Sequence, residues 1–177
     1  MQKIGVEDLL NAYAKGQREF RGLDFSDLNL FEVDLSGGDF SGSDFSHTNL
    51  SYANLSQANL QEAQLIGTQL IRANLGAAML QLSHLQGANL FGAKLSFCHL
   101  RGAILANANL QLADLRHADL SGAELTNANL SGSDLMEAQL QSALLQKCNL
   151  FRVRSLDLSG AIADRTTIMP DGLFWGS

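Results

Sequence analysis

The side chains that could do chemistry in this 177-residue chain are two cysteines, four histidines and 18 acidic residues. Cys98 and Cys148 could supply a thiolate nucleophile, a disulfide or soft metal ligands. His47, His84, His99 and His117 could act as general bases or metal ligands. Two facing carboxyls could work as general acid and base. None of these residues stands in a motif that gives it such a role. No two histidines have a ligand spacing, the cysteines are fifty residues apart, and the acids recur at turn positions with no cleft for a facing pair. The glycine-rich Leu35-Ser36-Gly37-Gly38 precedes no helical pattern, which makes it a weak phosphate loop. What these residues share is a place in a longer pattern, and the pattern decides what they can do.

From Phe20 to Leu150, every residue whose number is a multiple of five is Leu or Phe, 27 times in succession. A helix turns about 100° per residue, so five residues advance about 140° and the leucines would point to every side. A flat strand alternates faces with period two, so an odd step would put every second leucine in solvent. All can be buried together only if the chain changes direction about once per repeat and winds round its own core. That is a solenoid.

The neighbouring columns agree. Two residues before each Leu/Phe centre, all 23 positions from Gly38 to Cys148 are Gly, Ala, Ser, Thr or Cys, the mark of a crowded inward position. Just before the centre stand mostly Asn, Asp, Gln or Glu, which bond nearby backbone and favour turns. Two residues after it, Gly is frequent, as at Gly22, Gly42, Gly92 and Gly132. Units such as Ala53-Asn54-Leu55-Ser56-Gln57 and Ala118-Asp119-Leu120-Ser121-Gly122 resemble the A(D/N)LXX units of the pentapeptide repeat family. The resemblance implies an all-β solenoid, a right-handed quadrilateral parallel β-helix called the repeat-five-residue fold, with one pentapeptide per side and four per coil. Residues 18–152 would then make just under seven coils, about 4.8 Å apart and roughly 30 Å long.

Residues 1–17 are expected to cap the first coil with a short helix over Val6 to Lys15. Ile4, Val6, Leu9, Leu10 and Tyr13 have helical spacing, and Gly16 follows as a stop. Leu23, Leu28 and Val33 break the small-residue rule where that cap would sit. Residues 153–177 form a register break and C-terminal cap. Ser155 occupies the next centre, and Leu156-Asp157-Leu158-Ser159-Gly160 restores a unit shifted by three. Met169-Pro170-Asp171-Gly172 is turn chemistry and resembles the TxxPDG endings of cyanobacterial members, leaving Phe174 and Trp175 to cover the lower end of the core.

With four sides per coil, residues twenty apart stack. The centre column (Phe20, Phe25, Leu50, Leu90, Leu110, Leu130, Leu150 and their equivalents) and the small column (Ala53, Ala73, Cys98, Ala108, Cys148) are structural. Two and a half coils put the cysteines on opposite sides, too far for a disulfide, and buried free thiols suit a reducing compartment. The histidines fall on three sides and the acids read as solvated turn residues. One side carries an uninterrupted carboxamide column, Asn29, Asn49, Gln69, Asn89, Asn109, Asn129 and Asn149, expected to bond along the axis. On the same side Phe31, Ile71, Phe91 and Phe151 share an outward column, with Leu112 nearby. Ile71 and Phe91, one coil apart, are the candidate partner patch.

A solid rod offers no cleft, so the expectation is a protein without catalytic, cofactor or metal site. It would be a non-enzymatic structural or interaction module, with another protein or a second copy as partner and no small-molecule substrate. The alternative implied by the family is a DNA-mimicking modulator of a type II topoisomerase such as gyrase. The net charge of −6 suits that reading, but only Glu62 among the acids lies between the clusters Glu19–Asp44 and Asp114–Glu137. Direct nucleic-acid binding would need a basic track. No apolar run reaches the ~20 residues that span a bilayer, and the acidic N-terminus lacks a signal-like apolar region. A cytoplasmic protein is the expectation.

Overall fold

The computed structural model describes residues 1–176. Its register answers how many repeats make a turn. Parallel bridges join each pre-centre residue to the one twenty further on, from Glu19↔Asp39 to Asp134↔Arg154. Four five-residue steps therefore complete one turn of the solenoid. Strands are barely longer than these bridges, because each step must turn again before a second pair can form.

One repeat shows the mechanism. The Asn49 N–H donates back to Leu28 O at 2.9 Å, and the Leu50 N–H donates forward to Gln69 O at 2.7 Å. The chain then turns, with the Ala53 N–H closing on Leu50 O at 3.1 Å. The third residue of that turn, Tyr52, lies at φ 61°, in the left-handed region. Gly42 occupies the same place at φ 63°, which is why Gly recurs in this column. Tyr, His, Leu and Phe are held there elsewhere, against their backbone preference, by the coils above and below.

The 27 centre residues are all buried, none more than 3% exposed. The small column lies beside them, and three of its buried hydroxyls have a partner one coil back. Ser43, Thr48 and Thr68 donate to the carbonyls of Phe20, Phe25 and Phe45 at 2.9, 2.7 and 2.8 Å. These three donors are paired without breaking the stack. Ser83 donates to Leu80 O in its own repeat at 2.7 Å, and the buried Ser133 hydroxyl has no partner among the described residues.

At the N-terminal end the core is aromatic. Phe20 stacks on Phe40 at 5.5 Å and Phe25 on Phe45 at 4.6 Å between ring centroids. Helix α1 (Val6–Ala14) buries Leu9 and Tyr13 against them. Tyr13 stacks on Phe20 at 5.3 Å, and its hydroxyl donates to Leu35 O at 3.0 Å. That reach requires Gly38, because a Cβ there would overlap the Tyr13 hydroxyl. Before the helix, β1 (Gln2–Lys3) pairs in parallel with β2 (Leu23–Asp24) and adds a partial layer above the first coil. Nothing in the five-residue period marks this strand.

At the C-terminal end the twenty-residue register holds through Arg154 and then slips. Leu144 bridges Ile162, eighteen residues on, and Asn149 bridges Ile168, nineteen on. Thr167 is buried and donates to Leu145 O at 2.7 Å. Leu156, Leu158, Ala161, Ala163 and Met169 pack against the end of the core. Phe174 and Trp175, assigned to that end from the sequence, are instead 54% and 39% exposed. Ile168 bridges Phe174 antiparallel, so the tail turns back on itself before its aromatics reach the core. Ser177, the last residue of the 153–177 segment, lies outside the described residues.

Candidate functional site

The chemistry-bearing residues stay apart. Cys98 and Cys148 are free and buried, and burial pushes each thiol up to about 12. Cys98 Sγ donates to Leu75 O at 2.7 Å, the bond that Ser43 and Thr48 make in the same column. His117 stacks on Phe97 at 4.6 Å and meets Glu137 at 3.1 Å on the surface. Among the described residues, no group of three or more His, Cys, Asp or Glu side chains is arranged to hold a metal ion.

The acids do structural work. Asp24 accepts from the Ser26 hydroxyl at 2.6 Å and the Ser26 N–H at 2.8 Å, and these bonds hold its carboxyl below the usual carboxylate range. Arg116 donates twice to Asp114 and lowers that carboxyl in the same way. The backbone N–H groups of Ser26 and Arg116, donating to Asp24 and Asp114, make the Asx turn expected of a short polar side chain two residues before the bonded N–H.

The side whose centres are Leu30, Leu50, Leu70, Leu90, Leu110, Leu130 and Leu150 differs from the rest. Its pre-centre column is the carboxamide column, and the structure divides that column. Asn49 donates to Asn29 Oδ1 at 3.0 Å, Asn89 to Gln69 Oε1 at 3.2 Å, and Asn109 to Asn89 Oδ1 at 3.2 Å. The extra methylene of Gln69 carries its amide to Gly67 O at 3.4 Å, away from Asn49. Asn129 and Asn149 accept from the N–H groups of Ser131 and Phe151. An axial ladder is also not confined to this side, because Asn54 donates to Asp34 and Asn74 to Asn54, both at 3.0 Å.

Outside the carboxamides runs an apolar line. Phe31 and Phe151 are exposed, Ile71 and Phe91 half-buried. One column over, Tyr52 and Leu112 are exposed as well. Phe31 and Tyr52 meet edge to face at 5.6 Å. Ile71 and Phe91, singled out in the sequence, are therefore the middle of a longer feature. Tyr52 and Leu112 extend it because their left-handed backbone turns them outward, and a step of 21 residues from Phe31 or Phe91 finds them. Phe91, Leu112, Gly132 and Phe151 line a surface hollow of about 290 Å³ on this side. A second hollow, of about 540 Å³, lies in the tail between Met169, Leu173, Phe174 and Trp175.

The pentapeptide repeats model matches residues 19–46, 39–76, 83–122 and 113–150, in eight copies. The chain belongs to the pentapeptide repeat family. Membership supplies the right-handed β-helix type of solenoid whose twenty-residue register is described above. This pentapeptide repeat protein is similar to HetL from the cyanobacterium Nostoc sp. strain PCC 7120, a pentapeptide repeat protein involved in heterocyst differentiation regulation. The two are 31% identical over 97% of this chain and 99% of HetL, with a TM-score of 0.35. It is similar to alr5209, also from Nostoc PCC 7120, at 29% identity over 92% and 98% of the chains, TM-score 0.33. A trypsin-treated form of QnrB1, a plasmid-mediated fluoroquinolone resistance protein, is 19% identical over 82% and 80%, TM-score 0.40. At these scores the superpositions add nothing to the family assignment. No curated protein sequence matches this pentapeptide repeat protein. Among its described residues, no helix is long and apolar enough to cross a membrane.

Proposed function

We propose that this pentapeptide repeat protein is a non-enzymatic, cytoplasmic interaction module, a rigid rod that binds another protein chain through its carboxamide side. Helix α1 and the slipped tail act as the caps of a quadrilateral β-helix. One observation carries the reading: Phe31, Tyr52, Ile71, Phe91 and Leu112 lie along one side in five successive coils, and after the gap at Ser131 and Gly132 the line resumes at Phe151 in the last. Single exposed apolar residues are ordinary on a protein surface, but a line of them is the usual mark of a protein contact. The flanking amides supply hydrogen bonds without charge to desolvate, which suits the centre of an interface.

The topoisomerase alternative needs an unbroken acidic surface, and we do not adopt it. Arg21, Arg116 and Arg154 sit on Asp39, Asp114 and Asp134, at 2.8, 2.7 and 3.5 Å. The test is affinity capture, from extract of the source cell, on immobilised protein and on its Phe91→Ser and Leu82→Ser variants, with a differently tagged second copy included. A protein retained by wild type and Leu82→Ser but lost by Phe91→Ser supports the proposal. Equal retention by all three, or gyrase supercoiling inhibited equally by wild type and Phe91→Ser, overturns it.

A further inference from the structure

We propose that the partner on the carboxamide side is a second copy of this chain, packed face to face and antiparallel about a two-fold axis through Phe91. The proposal rests on the reading of this side as the protein-binding side. It goes further because the residues of this side complement themselves when reversed.

A two-fold axis that lies in the contact plane and crosses the rods brings each column against its own reverse. With Phe91 on the axis, Phe31 meets Phe151 of the partner subunit, and the amide column meets amides throughout. One column over, exposed Glu32 meets Arg152 of the partner subunit, an opposite charge at each rim. Neither residue has an ion-pair partner within its own chain among the described residues. Tyr52, the large exposed residue of the second coil, meets Gly132 of the partner subunit. Gly132 lies in the hollow of about 290 Å³ bounded by Phe91, Leu112 and Phe151. The knob and the hole are thus on the same surface at positions that the axis exchanges, and each dimer has two such fits.

The other three sides fail the same operation about their middle coils. It would set Lys94 on Lys94, Asp39 on Asp119 and Asp44 on Glu124. Like charges brought together oppose pairing. Only the side with the apolar line escapes this, so its charge pattern and its shape pattern point to the same occupant.

The test is disulfide trapping with sedimentation equilibrium. Glu32→Cys and Arg152→Cys proteins are oxidised with oxidised glutathione, separately and as a mixture. The native thiols are buried and do not compete. A linked dimer in the mixture and in neither protein alone is expected. Tyr52→Arg should weaken the dimer about tenfold or more while leaving the thermal midpoint unchanged at dilutions where both proteins are monomeric. A wild-type chain that sediments as a monomer at high micromolar concentration overturns the proposal, as does cross-linking of Glu32→Cys to itself. If the monomer still captures a different protein through Phe91, the interaction reading stands and only the second copy is lost.

Discussion

The carboxamide side and the side opposite it, whose centres include Phe40, Leu60, Leu80, Leu100 and Leu120, have the same interior and different exteriors. Inside, both present a buried Leu or Phe centre, with a small residue beside it that is buried from Gly38 to Ala128. Outside, the opposite side mixes Asp39, Met79, His99, Arg101 and Asp119 with no apolar line, and Leu82 stands alone at 57% exposure. The core therefore carries the fold and no information about function. Whatever is specific to this protein lies in the columns that do not need to repeat.

The comparison predicts equal interiors first. Leu90→Ala and Leu100→Ala remove residues that are each 1% exposed from mid-rod, on the two opposite sides. Each should cost about 2–5 kcal/mol, and the pair should agree within about 1 kcal/mol, by denaturant unfolding. A large inequality would mean that the sides are not built alike. Gly38→Ala, at the N-terminal corner of the opposite side, should come next. It displaces Tyr13 from Phe20 and Phe40, with a cost of about 2–4 kcal/mol from lost burial and stacking. Thermal unfolding together with loss of the α1 circular-dichroism signal would check it.

Acid should then separate the sides. Burial pushes the Asp39 carboxyl up, but bonds from Ser41, Asn59 and Arg21 outweigh it and hold the group below its ordinary 3.8. Asp24 and Asp114 are lowered likewise. A carboxyl whose value is lower in the folded state contributes stability above its unfolded value, and that stability is lost as pH falls through the folded value. Unfolding free energy should therefore decline below about pH 4. The triple variant Asp24→Asn, Asp39→Asn, Asp114→Asn should flatten that limb, whereas Asn109→Gln on the carboxamide side should leave its shape unchanged. A pH titration of the unfolding midpoint reads both.

Much of this is legible in the sequence. A period of five cannot be satisfied by helix or flat strand, so Phe20 to Leu150 alone demanded a winding chain. The small column placed Cys98 and Cys148 inside, where their chemistry is packing. What could not be read follows no period. Gln2 and Lys3 are polar and pair only because the first coil leaves an open edge. Gly38 looked like one more small residue, and its need for Tyr13 is a contact across 25 positions. Gln69 counted as one more amide, yet one methylene redirects it. Phe174 and Trp175 have the composition of a cap, but the slip to eighteen and nineteen residues carries them past the core. Of the apolar line, the sequence shows Phe31, Ile71, Phe91 and Phe151 in one column with Leu112 nearby, and hides Tyr52, which lies one column to the side at a step of 21 from Phe31.

The central claim is that the carboxamide side of the rod pairs with a second copy of the chain and the side opposite does not. Sedimentation equilibrium of wild type, Phe91→Ser and Leu82→Ser at matched concentration tests it most directly. Both substitutions should leave folding stability within about 1 kcal/mol of wild type. The account predicts that wild type and Leu82→Ser associate alike and that Phe91→Ser is monomeric. Association lost in Leu82→Ser and kept in Phe91→Ser would contradict it.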